Sequence, residues 1–255
     1  MKRKSIELIE PVDEQEQSLI PSLPKQVKKR KKPRKTNERD ILQLNNPTTL
    51  NTSDGSNKKF HILSIDIGIK NLGYSVISYD NLGKKELTDL TFMFDIFDIS
   101  THIPKKKDIV SSRCEALIIF LHELYRRFHS FETIIIERQV NQNTMAMELM
   151  YAITMAVKLM NTNDANIIIF DPKDKFLKLG LEYTTKNKSH KKQSIFYAKN
   201  VLMLTHPELV DWFNGYDKKD DVSDAMNQAL VWMLINGFLR PTIDEYKQII
   251  LSMNE

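Results

Sequence analysis

The 255-residue chain has one cysteine, Cys114, so it cannot close a disulfide within itself or build a zinc site from thiolates. A reducing compartment is expected, and a disulfide-stapled secreted scaffold is excluded. No apolar run approaches the roughly 20 residues of a membrane-spanning helix. The opening MKRKSIELIEPVDE meets acids where a signal peptide would be apolar. A soluble, unsecreted protein with no membrane partner is the expectation. Gly-x-Ser-x-Gly and His-Glu-x-x-His are both missing and the six histidines show no ligand spacing, which excludes serine- and zinc-hydrolase chemistry.

Aromatic residues are also missing from one part of the chain. All 22 lie beyond Lys59, whereas five of the nine prolines lie before it. Residues 1–59 carry a net charge of +6 and the remainder −2, so the first segment has little apolar surface with which to offset its ordering entropy. It reads as a disordered basic N-terminal tail, followed by one folded domain over 60–255. Lys28-Lys29-Arg30-Lys31-Lys32-Pro33-Arg34-Lys35 is dense enough to attract polyphosphate by counter-ion release or to engage an import receptor. A solvated charge run with no dedicated partner is the alternative. A mitochondrial transit peptide fits less well, because Glu7, Glu10, Asp13, Glu14 and Glu16 are acids where such peptides have few.

From Phe60 onward the apolar pattern becomes periodic. Phe60–Gly68 reads as a central strand ending in a glycine turn, and Leu72–Tyr79 and Leu90–Phe97 as two further antiparallel strands separated by Asn81-Leu82-Gly83-Lys84. A helix is expected from about Lys107 to Phe128, with Val110, Cys114, Leu117, Phe120, Leu121 and Leu124 on its core face. Thr133–Ile136, ending in Glu137, and Asn166–Phe170 read as short buried strands. Between them, Ala146, Met150, Ile153, Val157 and Met160 recur at helical spacing. Met145, Leu149, Ala152 and Leu159 widen that apolar surface beyond one sheet contact, which leaves two readings: a dimer contact, or a fully buried helix with methionines filling gaps. Helices over Gln193–Met203, Asp220–Phe238 and from Pro241 to about Met253, with a short piece at Pro207–Phe213, complete the chain. The order βββαβαβ followed by helices predicts an α/β fold: a mixed five-stranded sheet, three antiparallel strands then two parallel, with helices on both faces.

Four acids stand out against this pattern. Asp66 lies between Ile65 and Ile67 in the most apolar strand, and Glu137 directly follows Ile134-Ile135-Ile136, where a solvated charge is not expected. If the first and fourth strands are parallel neighbours, these two carboxylates meet. Asp221 and Asp224, at i and i+3, share a face in the first turn of their helix. Taken singly, that pair also suits the positive end of a helix. Four carboxylates crowded without lysine partners repel one another, and a pair of Mg²⁺ ions roughly 3.5–4 Å apart would reverse that repulsion. Such a pair performs phosphodiester hydrolysis, one ion activating water and the other stabilising the leaving oxygen.

The residues then resemble a known family, the RuvC-like Holliday junction resolvases of the RNase H-like superfamily, in their mitochondrial and poxvirus branch. The resemblance covers about 60–240 and lies in Ser64-Ile-Asp66-Ile-Gly68-Ile-Lys70-Asn71-Leu72-Gly73, Ile135-Ile-Glu137-Arg-Gln139, the basic stretch up to Lys192, and Lys218-Lys-Asp-Asp221-Val-Ser-Asp224-Ala225. It implies an RNase H-like fold and a Mg²⁺-dependent endodeoxyribonuclease, with Mn²⁺ as a substitute ion. Asp66, Glu137, Asp221 and Asp224 would be catalytic metal ligands, with Asp220 adjacent and able to take the place of one of them. It further implies a homodimer, through the Met145–Met160 helix, that nicks two strands of a four-way junction symmetrically. In the same resemblance Lys70, Asn71, Arg138, Gln139, Lys186, Lys188, Lys191 and Lys192 hold the DNA backbone, and ordinary surface lysines are the alternative reading of the last four. His61 and His190 stay as further DNA contacts. Residues 1–59 and 139–145 lie outside the family pattern.

Three rivals remain in view. Asp66-Ile-Gly68-x₄-Gly73 also resembles the first phosphate loop of actin-like ATPases and sugar kinases, but the chain has no second Asp-x-Gly and only 196 residues after Lys59. Tyr74 stands where a P-loop needs lysine. An RNase H acting on RNA/DNA hybrids would take its glutamate from the first long helix, which offers Glu115 and Glu123. An inactive DNA-binding scaffold would have no need of all four acids. The basic tail permits nuclear import, and the poxvirus resemblance implies replication sites in the host cytoplasm.

Overall fold

β1 (Lys59–Ile67) is apolar on both faces because both faces are covered. Successive side chains of a strand point oppositely, so Ile62, Ser64 and Asp66 look one way, and Leu63, Ile65 and Ile67 the other. The structure is a computed structural model that describes residues 59–80, 83–102, 109–140, 142–160, 165–181 and 187–251. The basic run Lys28–Lys35, and the whole segment read as a tail up to Lys58, lie outside the described residues.

β2 (Asn71–Asp80) and β3 (Thr91–Asp98) run antiparallel to β1 and to each other. β4 (Thr133–Glu137) and β5 (Asn166–Phe170) run parallel to β1, giving the sheet order β3-β2-β1-β4-β5. This is the mixed five-stranded sheet that the order of elements predicts. On one face lie α1 (Ile109–Phe128) and α2 (Thr144–Met160), packing through Leu117, Phe120, Leu121, Ile153 and Val157 onto Leu63, Ile65 and Ile136. On the other lie α4 (Asn187–Thr205), α6 (Lys219–Ile235) and α7 (Ile243–Leu251), with the short α3 (Asp174–Leu177) and α5 (Val210–Asn214) at the margin. Among the described residues, no helix is long and apolar enough to cross a membrane.

The most enclosed helix is α6. Every residue from Val222 to Leu234 except Asp224 is buried, because β1 and β2 cover one side and α4 the other. Gln228 on α6 donates to the Ser64 hydroxyl of β1 at 3.1 Å, a buried polar link that registers helix against strand. Two glycines carry close approaches. A Cβ at Gly68 would stand 2.2 Å from the Asn71 carbonyl oxygen, so the β1–β2 turn requires its absence, and a Cβ at Gly73 would stand 2.3 Å from the carbonyl oxygen of Asp221. Both glycines of Asp66-Ile-Gly68-x₄-Gly73 are thereby accounted for by backbone packing within the fold.

Several boundaries differ from the periodicity. α4 begins at Asn187 rather than Gln193, because its first turns carry exposed Lys191 and Lys192 and a solvated turn leaves no apolar period to read. α6 ends at Ile235, before Phe238, where Gly237 adopts φ +71° and stops the helix. The terminal helix begins at Ile243 rather than Pro241, with Thr242 and Glu245 forming a reciprocal cap at its start. Cys114, expected in the core, is only partly buried at the border of the α1 face. On α2, Ala146, Leu149, Met150, Ile153 and Val157 are buried while Tyr151, Met155 and Leu159 are 57%, 57% and 81% exposed. A fully buried core helix is thereby corrected: one apolar stripe of α2 is exposed.

Gly73→Ala is expected to push α6 off β2 and cost about 1–3 kcal/mol, the range for overpacking. A lower urea midpoint at unchanged slope would record it.

Candidate active site

The strand register creates the site. Asp66 pairs with Gly73 of β2, and Ile65 with Ile136 of β4, so Glu137 at the end of β4 comes alongside Asp66. Because Gly73 has no side chain, the start of α6 settles against β2 and brings Asp221 over the same sheet end. Asp224 follows one turn later. The four acids singled out in the sequence therefore converge from β1, β4 and α6.

A fifth residue lies among them. Lys175 of α3, in the segment that follows β5, is 4% exposed. Its Nζ stands 3.2 Å from Oε2 of Glu137 and 3.0 Å from Oδ1 of Asp224. The expectation of carboxylates without lysine partners is thus corrected. Nothing local in the sequence distinguishes Lys175 from Lys173 and Lys178, and only the fold turns one of the three inward. Asp224 Oδ1 also accepts from the hydroxyl of Ser194 at 2.6 Å. Asn227 Nδ2 in turn donates to the Ser194 hydroxyl and carbonyl, each at 2.9 Å. Ser194 and Asn227 are buried helix residues whose part in the site has no sequence signature.

The electrostatics follow from this crowding. Asp66 is pushed well above the ordinary carboxylate range, first by burial and then by the negative charges of Glu137 and Asp224; Lys175 opposes this in part, and Asp221 adds to it. For Lys175, burial alone would lower the ammonium, but Asp224, Glu137 and Asp66 outweigh it and hold the group protonated above its usual value. Asp221 is raised by burial and by Asp220, with Lys218 and Lys191 opposing. Lys218 lies 3.8 Å from Asp221 Oδ2, and Lys191 forms an ion pair with Asp220. Asp220 is therefore paired with its own lysine beside the cluster.

The donor set is four carboxylates, hard oxygen ligands of the kind that Mg²⁺ and Mn²⁺ take, and the raised Asp66 marks a place where added positive charge is favoured. In chemistry these residues fit a divalent ion. Among the described residues, however, no three acid, histidine or cysteine side chains form a ready-made metal cage.

The expected DNA-contacting residues divide. Lys70, Arg138 and Lys192 are exposed, Asn71 and Gln139 are partly buried, and Lys191 is exposed but engaged with Asp220. Lys186 and the side chain of Lys188 lie outside the described residues. His61 does not serve as an open DNA contact: its Nδ1 is 2.7 Å from the Ser78 hydroxyl, its ring packs edge-on to Phe128 and Phe131, and burial lowers it to about 4. His190 is partly buried beside Phe176. Glu115 and Glu123, the glutamates an RNase H reading would need, are both exposed on α1.

Ser194→Ala removes a hydroxyl from a partly buried carboxylate and is expected to cost about 1 kcal/mol. Urea unfolding of the metal-free protein measures this.

Residues 61–236 match a family model described as Poxvirus A22 protein. Among solved structures, the fowlpox virus resolvase in complex with a substrate Holliday junction is 21% identical, covering 68% of this chain and 97% of that one at a TM-score of 0.49. The yeast mitochondrial Holliday junction resolvase Ydc2 is 20% identical over 75% and 82%, TM-score 0.47. Thermus thermophilus RuvC is 14% identical over 70% and 98%, TM-score 0.45. No curated protein sequence matches. With more than half of its length matched by that one model, the chain belongs to the Poxvirus A22 protein family, the poxvirus branch of the resolvases its motifs resemble.

Proposed function

We propose that the protein is a structure-specific endonuclease that resolves four-way DNA junctions by paired, symmetric nicks through two-metal-ion hydrolysis. The observation that carries this reading is the convergence of Asp66, Glu137, Asp221 and Asp224 at one end of the sheet in a chain of the A22 family. Asp66, Glu137, Asp221 and Asp224 would hold two Mg²⁺ ions, or Mn²⁺ in their place. Bound there, the ions would supply an activated water and neutralise charge at the scissile phosphate.

The chain's own residues do the rest. Exposed Lys70, Arg138 and Lys192 offer positive charge to the DNA backbone, with Asn71, Gln139, Lys186, Lys188 and Lys191 as further contacts, offsetting an acidic centre that would otherwise repel phosphate. A four-way junction has approximate twofold symmetry, so a homodimer would present two equivalent sites to two equivalent strands. The exposed Tyr151, Met155 and Leu159 stripe of α2 is the surface we assign to that dimer. The basic segment before β1 would add attraction for DNA or engage an import receptor, and the chain from β1 onward would be the nuclease domain. RNase H action on hybrids is disfavoured, because Glu115 and Glu123 point to solvent.

Asp66→Asn is expected to abolish cleavage while leaving junction binding equal or tighter, since it removes a ligand and also a negative charge facing phosphate. Mg²⁺-dependent cleavage of a synthetic four-way junction, beside linear duplex and RNA/DNA hybrid, tests this. Paired nicks in the junction by the wild type only are the expected result. Hybrid cleavage would replace this reading with RNase H, and binding without cleavage by the wild type would replace it with an inactive scaffold.

A further inference from the structure

The acidic cluster already contains a cation, and that cation is covalently part of the chain. Lys175 Nζ contacts Glu137 and Asp224 from two different elements, and its side chain is almost wholly withdrawn from solvent. The lysines near the other acids are different: Lys191 and Lys218 are exposed and pair at the rim with Asp220 and Asp221. Phe176, Leu179 and Leu181 are buried in the core cluster of α4 and α6, which anchors α3 beside the acids.

The oxygens it contacts belong to two of the four carboxylates that would hold a metal. Both hydrogen-bond partners of Asp224, Ser194 and Lys175, fall on Oδ1, and Lys175 takes Oε2 of Glu137. The ammonium thereby bridges Glu137 of β4 and Asp224 of α6. A partly buried carboxylate cluster with no positive charge would be destabilising, and Lys175 supplies that charge.

We infer that Lys175 is a resident counter-ion that stands in for a divalent ion in the metal-free protein and competes with it for Glu137 and Asp224. The inference rests on the reading of the four carboxylates as the metal site. Loading the site requires the ammonium to leave those oxygens, so the lysine sets metal affinity: it stabilises the empty protein and weakens ion binding.

The test is Mn²⁺ binding to full-length protein without DNA, followed by electron paramagnetic resonance, together with melting temperatures in chelator and in Mn²⁺. Wild type, Lys175→Met and Asp66→Asn are compared. Lys175→Met is expected to melt lower than wild type in chelator, to gain more from Mn²⁺, and to bind Mn²⁺ about tenfold more tightly, within the range by which groups around a metal site tune affinity. Unchanged or weaker Mn²⁺ binding by Lys175→Met overturns the inference. Should Lys175→Met fail to fold, acetylation of Lys175 in the wild type, read by mass spectrometry, decides: protection in chelator and reactivity in Mg²⁺ support displacement, and equal protection in both refutes it. Wild type that binds Mn²⁺ while Asp66→Asn does not, with no gain in Lys175→Met, removes only the role of Lys175. No Mn²⁺ binding by wild type removes the metal-site reading and the inference together.

Discussion

Negative charge packed at one end of a sheet is the constraint on which the rest of this molecule depends. Asp66, Glu137, Asp221 and Asp224 are brought together by strand pairing and by a helix resting on a glycine, and none of these backbone contacts relieves their repulsion. Relief comes from Lys175 and from the hydroxyl of Ser194. A charge-assisted network of this kind is costly when half satisfied and rigid when complete.

The scaffold is built to carry that cost. β1 has a core on each side, so its position is set twice over, and Asp66 near its end inherits that rigidity. α6 is buried along nearly its whole length and is registered against β1 by Gln228 and Ser64. Its first turn, where Asp221 and Asp224 sit, is therefore as well placed as the sheet itself. The opposite face has a different character. There α2 buries one stripe and leaves Tyr151, Met155 and Leu159 in solvent.

The fold was largely legible because its signals are periodic. Apolar runs bounded by glycine and proline located all five strands within a residue or two, and the order of elements implied the mixed sheet. Helix ends were less legible: the first turns of α4 are polar, and the end of α6 depends on the backbone at Gly237 rather than on pattern. Of the site, the four acids were legible because a carboxylate inside or beside an apolar run is unusual. His61 misled, because a histidine on a strand can as well be core, and here it is wedged between Ser78 and two phenylalanines.

By itself, the sequence determined the strands, the acids and their family, since residue type and spacing along one chain are enough to specify local structure and a short motif. The tertiary structure alone decided that Lys175, rather than Lys173 or Lys178, enters the cluster. It also decided that Ser194, itself held by Asn227, bonds Asp224, and that the backbone of Asp221 comes to rest against Gly73. Each of these pairs residues far apart in sequence. The contact exists only after the sheet closes, and no local propensity anticipates which of several similar side chains will face inward.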